Sequence, residues 1–188
     1  MLNLKIPSGN ELLNPQKILN DELKLNYGAK VGDLGCGTMG YFCLQAARLV
    51  GDAGRVYAVD LLKDHLKSIV SKAKESGLNN ITPIWSDLEK YGATKINDRS
   101  LDFCLLINIL FQNKHHEKII KEASRLLKLG GKLLIIDWRS GRFPLGPSQQ
   151  YKIEPEKIIS LIPILGLRCV KEFTAGPYHF GIILEKVI

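Results

Sequence analysis

Strand-like and helix-like segments alternate along most of this 188-residue chain. Short runs rich in β-branched and aromatic residues, such as GRVYAVD at 54–60, precede segments with apolar residues at helical spacing, such as LLKDHLKSIVSKAKESG at 61–77. Parallel strands need a long crossover between them, whereas antiparallel strands can be joined by a tight turn. The alternation therefore predicts an α/β fold with a doubly wound, mostly parallel sheet and helices on both faces.

Five strands and three helices are predicted in this alternating part. The strands are AKVGDLG, GRVYAVD, NITPIWSD, SLDFCLLINIL and KLLIIDW, and the helices are YFCLQAARLV, LLKDHLKSIVSKAKESG and HHEKIIKEASRLLKLGG. Pro83 lies inside the third strand. Because proline cannot donate a hydrogen bond to a sheet ladder, we expect that strand at an edge of the sheet.

The two ends of the chain depart from this alternation. Residues 167–188 contain two strand-like runs joined only by AGP, which is too short for a parallel crossover, so they predict an antiparallel hairpin. Residues 1–26 predict an N-terminal helical cap, with Asn14 and Pro15 as a helix start signal. The length predicts a single domain spanning 1–188. Residues 140–154 are rich in glycine and proline, and we expect them to form a loop that covers the substrate pocket.

Composition narrows the environment and the partners. Apolar residues make up 45% and charged residues 24% of the chain, and neither a membrane-spanning run nor a secretory leader is evident, so we expect a cytoplasmic protein. The four cysteines are scattered, which predicts neither a disulfide framework nor a metal site. The net charge of +7 would suit an anionic partner, but basic residues alternate with acids, which favours solvated helix faces over a nucleic-acid surface.

A glycine-rich loop, VGDLGCGTMGYF, follows the first strand at residues 31–42. Gly35, Gly37 and Gly40 match the dinucleotide pattern G-x-G-x-x-G, and Asp60 follows at the spacing of a ribose-binding acid. Asp33 argues against a pyrophosphate, because one pair of like charges ~6 Å apart at an effective dielectric of ~20 costs roughly 3 kcal/mol. A ligand with an ammonium and a sulfonium group would instead be attracted.

The chain resembles the class I S-adenosylmethionine-dependent methyltransferases over nearly its whole length. It is most similar to the small-molecule branch, akin to the ubiquinone/menaquinone-biosynthesis methyltransferases. The matching features, in chain order, are Asp33, Gly35 and Gly37 of the acid-x-G-x-G loop, Asp60 after the second strand, Asp87 after the third, Asn108 after the fourth, the block LKLGGKLLIID, and the terminal hairpin. The resemblance implies a Rossmann-like sheet of seven strands and S-adenosyl-L-methionine as the cofactor.

The resemblance also implies roles for individual residues. Gly35, Cys36 and Gly37 would approach the methionine moiety, and Asp33 and the Asn108 carbonyl would hold its ammonium. Asp60 would accept both ribose hydroxyls. Leu61 and Leu88 would contact the adenine, whose amino group Asp87 would bind. The third glycine comes one residue later than is usual in the family, so the packing of Thr38 and Met39 stays open.

Methyl transfer from a sulfonium releases a neutral thioether, so it needs no general acid and needs a base only when the acceptor loses a proton. We therefore assign no catalytic residue from the sequence. Ligands of such sheets bind beyond the carboxyl ends of the strands. The residues expected to face the acceptor are Phe111, Asn113, Trp138, Arg139, Tyr178 and His179.

Two other functions remain open at this point. One is an NAD-dependent oxidoreductase, which the glycine spacing would suit. The other is a non-catalytic or RNA-binding member of the methyltransferase fold, because no catalytic base is evident. Neither the methyl acceptor nor the oligomeric state follows from the sequence.

Overall fold

Seven strands form one sheet in the computed structural model, which describes residues 12–188. They are β1 (Lys30–Leu34), β2 (Arg55–Asp60), β3 (Ile81–Trp85), β4 (Leu101–Ile107), β5 (Leu127–Trp138), β6 (Leu167–Gly176) and β7 (His179–Lys186). Their spatial order is β3-β2-β1-β4-β5-β7-β6, and only the pairs that involve β7 are antiparallel. The predicted fold class and the terminal hairpin are confirmed.

Helices cover both faces of the sheet. They are α1 (Pro15–Lys17), α2 (Tyr41–Val50), α3 (Lys63–Glu75), α4 (His116–Leu126) and α5 (Pro155–Leu161). Buried residues of α2 and α3 share one core cluster, and buried residues of α4 and α5 share the other. The first half of the chain adds strands from β1 toward β3, and the second half adds them in the opposite direction, toward β5. Because crossovers between parallel strands are right-handed, the helices of the two halves lie on opposite faces of the sheet.

Pro83 lies on β3, at the edge of the sheet, as predicted. The Asn80 carbonyl accepts from Val56, and the Ser86 N–H donates to Asp60, so even-numbered residues of this segment face β2. Since strand residues alternate in direction, the nitrogen of Pro83 faces away from the sheet. The proline therefore removes no hydrogen bond from the ladder.

The start of the described chain forms a short helical segment. The Asn14 side chain accepts a hydrogen bond from the Lys17 N–H at 3.0 Å, and Pro15 occupies the first turn of α1, as the sequence predicts. The chain continues as a π-helical turn over Ile18–Glu22. The remainder of the predicted cap, residues 1–11, lies outside the described residues.

Two element boundaries differ from prediction. The predicted helix over 115–131 ends at Leu126, and β5 already begins at Leu127. The register of β4 against β5 shifts between Leu101 and Phe103, where Gly130 adopts a φ of +75°. The two glycines therefore form an irregularity inside β5 and do not close the helix. Helix α5, which no sequence pattern indicated, completes the second face.

No helix within residues 12–188 combines the length and the apolar character needed to cross a membrane. The carboxyl ends of β1, β2, β4 and β5 lie along one edge of the sheet, together with the first residue of β7. The chain changes direction between β1 and β4, which creates a crevice at this edge. The candidate site lies there.

Candidate functional site

Two adjoining cavities occupy the carboxyl edge of the sheet. Cavity I, of about 350 Å³, is lined by Leu12, Leu13, Pro15, Asp33, the loop 35–40, Tyr41, Phe42, Ile107, Asn108, Ile109, Gln112, Trp138 and His179. Cavity II, of about 340 Å³, is lined by Gly35, Gly37, Asp60, Leu61, Leu62, His65, Ser86, Leu88, Glu89, Ile109, Gln112, Asn113 and Ile119. Both have the size of small-molecule sites. They share Gly35, Gly37, Ile109 and Gln112, so an elongated ligand could extend through both.

The three glycines of the loop meet different demands. Gly35 has a φ of +88°, and a Cβ there would overlap Ile109 Cδ1. Gly37 has a φ of +62°, but a Cβ there would meet open space. Gly40 precedes α2 with a φ of +61°, and a Cβ there would overlap Ile69 Cδ1 of α3. The third glycine therefore serves helix packing.

Thr38 and Met39, whose packing the sequence left open, lie on the outer part of the loop. The Thr38 carbonyl accepts from Ser68 Oγ at 3.0 Å and from Lys72 Nζ at 2.6 Å. Met39 is exposed. The loop is thus anchored to α3 at the position where the extra residue is inserted.

The first three N–H groups of the glycine loop form hydrogen bonds with other parts of the protein. Gly35 and Cys36 both donate to the Val59 carbonyl, at 2.8 and 3.0 Å. Gly37 donates to Asp60 Oδ2 at 2.9 Å. A phosphate-binding loop needs such groups free to face the ligand. The N–H groups of Gly35, Cys36 and Gly37 are instead used within the protein.

Asp33 is buried at the end of β1 and lines cavity I. Burial raises its pKa to about 7, with a further contribution from the charge of Asp60, and the Cys43 N–H opposes this rise. A cation bound beside Asp33 would favour the ionised form. The pKa of the neighbouring Cys36 thiol is raised far above its usual range by burial and by these two carboxylates, so Cys36 is protonated and unreactive at neutral pH.

Asp60 organises the boundary between the two cavities. Its Oδ2 accepts from Gly37, and its Oδ1 accepts from the Leu62 N–H at 2.9 Å and lies 3.2 Å from His65 Nδ1. A carboxylate has about four lone-pair sites. Gly37 and Leu62 use two of these sites and His65 faces a third, so one or two sites remain for the ribose hydroxyls predicted from the sequence, and the carboxylate is already oriented.

Asp87 lies differently from the prediction. Its Oδ1 accepts from the Glu89 N–H at 3.0 Å, and its Oδ2 is 3.4 Å from Lys90 Nζ. It lines a neighbouring groove together with Trp85. The adjacent residues Ser86 and Leu88 line cavity II. The predicted Asp87 contact with an adenine amino group would require this turn to rearrange.

Asn108 follows β4 in a left-handed conformation with a φ of +57°. Its carbonyl, predicted to hold an ammonium, accepts from Gln112 Nε2 at 2.7 Å. Its side-chain Oδ1 is buried and has no hydrogen-bond partner in the described chain. Asp33 and Asn108 both line cavity I, and a carboxylate beside an amide oxygen without a partner fits a ligand that brings N–H donors and positive charge.

The predicted acceptor-facing residues divide into two groups. Trp138 and His179 line cavity I, and Asn113 lines cavity II. Phe111, Arg139 and Tyr178 line neither cavity in the described structure. The Arg139 N–H donates to the Tyr178 carbonyl at 2.8 Å, and the Tyr178 ring packs against Phe143.

Asp137, at the carboxyl end of β5, is fully buried and turned toward backbone. It accepts from the Trp138 N–H at 2.8 Å and from the Phe111 N–H at 3.1 Å. Burial raises its pKa to about 6, while these N–H groups oppose the rise. Asp137 therefore fixes the segment after β4 to the end of β5.

Comparisons with known proteins agree with this geometry. The profile of the family described as "Methyltransferase domain" matches residues 25–164. The chain belongs to this methyltransferase family. The match confirms the family predicted from the glycine loop and its surroundings.

Two curated relatives illustrate the range of this family. The ubiquinone/menaquinone biosynthesis C-methyltransferase UbiE of Cronobacter sakazakii is 32% identical over 81% of this chain and 57% of its own length. The arsenite methyltransferase of Aquipseudomonas alcaligenes is 30% identical over 58% of this chain and 33% of its own length. The chain spans about half the length of the curated relatives it matches.

Solved structures give a fuller overlap. A SAM-dependent methyltransferase from Aquifex aeolicus is 27% identical, covers 96% of this chain and 94% of its own, and superposes with a TM-score of 0.87. A putative type 11 methyltransferase from Sulfolobus solfataricus is 26% identical over 94% of both chains, with a TM-score of 0.74. The seven-stranded fold is thus that of solved methyltransferases.

Sequence reasoning missed part of the wall that this methyltransferase-family chain builds. Leu12, Leu13 and Pro15 line cavity I, although they precede β1 by more than a dozen residues. The Leu12 carbonyl passes close to Gly176 of β6, where a side chain would block it. The sequence offered two signals for this contact: the apolar pair Leu12 and Leu13 beside the helix start, and Gly176 near the end of a predicted strand. Neither signal indicates that these two segments pack against each other.

Residues 140–154, the predicted covering loop, lie within the described chain and approach Trp138 of the cavity I wall. Gly146 has a φ of +98°, and a Cβ there would lie 2.5 Å from Trp138 Cε3. The Gly141 N–H donates to Gln149 Oε1 at 2.9 Å, so the loop is tied to itself. Gly146 thus lies against the Trp138 indole, and none of residues 140–154 is among the described lining residues of cavity I.

Proposed function

We propose that this chain transfers a methyl group from S-adenosylmethionine to a small-molecule acceptor. The observation that carries the proposal is the buried Asp33 carboxylate, which lies in cavity I with the orphaned Asn108 Oδ1 and without a lysine or arginine among the described lining residues. Such a site favours a cation with N–H donors. Membership of the methyltransferase family supports the same conclusion.

S-adenosylmethionine, when bound, supplies a methyl group on a sulfonium, which departs as a neutral thioether. We propose that Asp33 and Asn108 hold the ammonium group in cavity I. The free lone pairs of Asp60 would accept the ribose hydroxyls, while Leu61 and Leu88 flank the adenine in cavity II. Gly35, Cys36 and Gly37 keep the backbone close to the junction of the two cavities.

The chain would contribute alignment and exclusion of water more than proton transfer. Leu13 and Trp138, both of which are buried, give cavity I an apolar lining. Displacement at a sulfonium gains most from a fixed approach of the acceptor along the breaking bond. We assign no general base, and neither His115 nor His116 lines either cavity within the described chain.

A nicotinamide-dependent oxidoreductase is less well supported. The first N–H groups of the glycine loop donate to Val59 and Asp60, so they are not available to a pyrophosphate. Asp33 would also repel it. We therefore attribute the match to the dinucleotide pattern G-x-G-x-x-G to the extra residue before Gly40, and not to a dinucleotide ligand.

The first test is calorimetric titration of the purified chain with S-adenosylhomocysteine and, separately, with NADH. We expect saturable binding of S-adenosylhomocysteine and none of NADH. Asp60→Asn keeps the size of the side chain but removes its charge, and it should weaken binding about tenfold. The exposed Asp52→Asn is the matched control. NADH binding without S-adenosylhomocysteine binding would reject the proposal.

The second test is transfer of labelled methyl groups to fractions of a cell extract. We expect label in the small-molecule fraction, and about tenfold less of it with Asp60→Asn when S-adenosylmethionine is kept below its dissociation constant. Label in RNA, or cofactor binding without any transfer, would favour the RNA-binding or non-catalytic alternative. The single domain over 1–188 and the cytoplasmic location stay predictions, and the oligomeric state stays open.

A further inference from the structure

His179 lies where three strands meet at the carboxyl edge of the sheet. It is the first residue of β7, and the ladder pairs it with Trp138 of β5 on one side and Gly176 of β6 on the other. The centroids of the His179 and Trp138 rings are 4.2 Å apart, at an angle of 41°. Both residues belong to the wall of cavity I.

The imidazole of His179 is buried without a polar partner. The residue is 0% exposed, and neither Nδ1 nor Nε2 forms a hydrogen bond with the part of the chain that is described. An unpaired buried polar group costs about 1–3 kcal/mol. Burial lowers the pKa of His179 to about 4, so the ring is neutral near pH 7. A neutral imidazole presents one N–H donor and one bare acceptor nitrogen.

The surroundings of this ring do not suit a charged acceptor. Leu12, Leu13, Pro15 and Trp138 give cavity I an apolar side. Asp33 is the one carboxylate among its described lining residues, and no lysine or arginine accompanies it there. An anionic acceptor would meet the Asp33 carboxylate with no counter-charge from the described lining residues, at a cost of roughly 3 kcal/mol for a pair ~6 Å apart. A cationic acceptor would be repelled by the sulfonium of the proposed cofactor.

Building on the proposed methyl transfer, we infer that His179 hydrogen-bonds the polar group of an uncharged, largely apolar acceptor and thereby fixes its position in cavity I. The chemical class that fits is an uncharged compound that combines a hydroxyl group with an apolar body. Its hydroxyl donates to the bare nitrogen of His179, and its apolar body packs against the wall that includes Trp138. His179 is thus a determinant of acceptor specificity.

Three probes of similar shape test this role. Two are uncharged, para-tert-butylphenol and para-tert-butylanisole, and the third is the anion para-tert-butylbenzoate. The anisole lacks the hydroxyl proton, and the benzoate carries a negative charge. Binding is followed by tryptophan fluorescence in the presence of saturating S-adenosylhomocysteine. The chain has two tryptophans, and Trp85 is exposed on β3, so the Trp85→Phe background leaves Trp138 as the reporter beside His179.

In this background, we expect the phenol to bind about tenfold more tightly than the anisole, the loss expected for one hydrogen bond. The benzoate should bind most weakly. His179→Leu should abolish the preference for phenol and leave the anisole affinity unchanged. His179→Gln should retain most of the preference, because the amide offers both a donor and an acceptor.

A merely structural role for His179 predicts a different pattern, in which His179→Leu weakens phenol and anisole equally. That result, tighter binding of the benzoate, or equal binding of phenol and anisole before any change at His179 would overturn the inference. So would the absence of phenol binding. Even if His179→Leu does not fold, the ratio of phenol to anisole affinity in the chain with His179 intact still tests the inference. Separate titration with S-adenosylhomocysteine tests the proposed function alone, so the two failures are distinguishable.

Discussion

Ionisation of the Asp33 carboxyl group lowers the stability of the folded chain, because the group is buried. Its pKa is raised from 3.8 to about 7, so the folded chain holds a proton that the unfolded chain releases between these pH values. Stability therefore falls as the pH rises through this window. Asp137, with a pKa raised to about 6, adds a slope of the same sign over the lower part of the window.

Replacing Asp33 with asparagine should separate stability from binding. We expect the melting temperature of Asp33→Asn to exceed that of the unchanged chain by about 3 °C or more at pH 8, with little difference at pH 4. Its affinity for S-adenosylhomocysteine should fall by at least about tenfold, because a charge-assisted hydrogen bond is lost. Thermal unfolding across this pH range and calorimetry measure both effects. A melting temperature whose pH dependence matches that of the unchanged chain would contradict the expectation.

Gly35 and Gly37 form a matched pair for testing the loop. Gly37→Ala should cost about 1 kcal/mol, because its φ is positive but a Cβ would meet open space. Gly35→Ala should cost more, because a Cβ would also overlap Ile109. Adding Ile109→Ala should relieve part of the Gly35→Ala loss, a coupling that a double-mutant cycle in urea detects. Equal losses at the two glycines would show that Ile109 imposes no constraint.

At the scale of elements, hydrophobic periodicity predicted the bounds of a helix best where the helix buries a single face against the sheet. The segment YFCLQAARLV predicts α2, and the helix spans Tyr41–Val50. The pattern failed at Leu127–Gly131, because leucines and a lysine there suit a helix end, while the strand pairing of Leu127 with Leu101 overrides that preference. Helix α5 is too short to show a period, so its pattern is indistinct.

The site was predictable where backbone topology alone determines position. The ends of parallel strands brought Asp33, Asp60 and Asn108 to one edge, as expected. The orientation of Asp87 was not predictable, because it depends on local competition from the Glu89 N–H and Lys90. The contact of Leu12 with Gly176 joins segments distant in sequence, and no local signal encodes it.

The loop 140–154 acts as an element that supports one side chain. Gly146→Ala should displace Trp138, change its fluorescence and weaken binding of the phenol probe severalfold, with affinity for S-adenosylhomocysteine preserved. Gly92→Ala is the control, because its φ is also positive but a Cβ there would meet nothing within 4 Å. Unaltered Trp138 fluorescence in Gly146→Ala would mean that the loop does not support the indole.

At the scale of the whole molecule, β7 joins the hairpin to the parallel strands, since it lies between β5 and β6. Ile182→Ala, at a fully buried position on β7, should lower the free energy of unfolding by about 3 kcal/mol. Val170→Ala, on the exposed face of β6, should change it by less than about 0.5 kcal/mol. Calorimetry should show one transition that moves as a unit in Ile182→Ala. A separate transition for residues 167–188 would reject the single-domain prediction.

Pro83 has a consequence for how copies of this chain meet one another. An outward N–H is missing from the middle of β3, so a foreign strand cannot complete a ladder along that margin. The opposite margin, β6, is interrupted by two bulges and carries exposed charges at Arg168, Lys171 and Glu172. Both borders of the described sheet thus disfavour edge-to-edge pairing between copies of the chain.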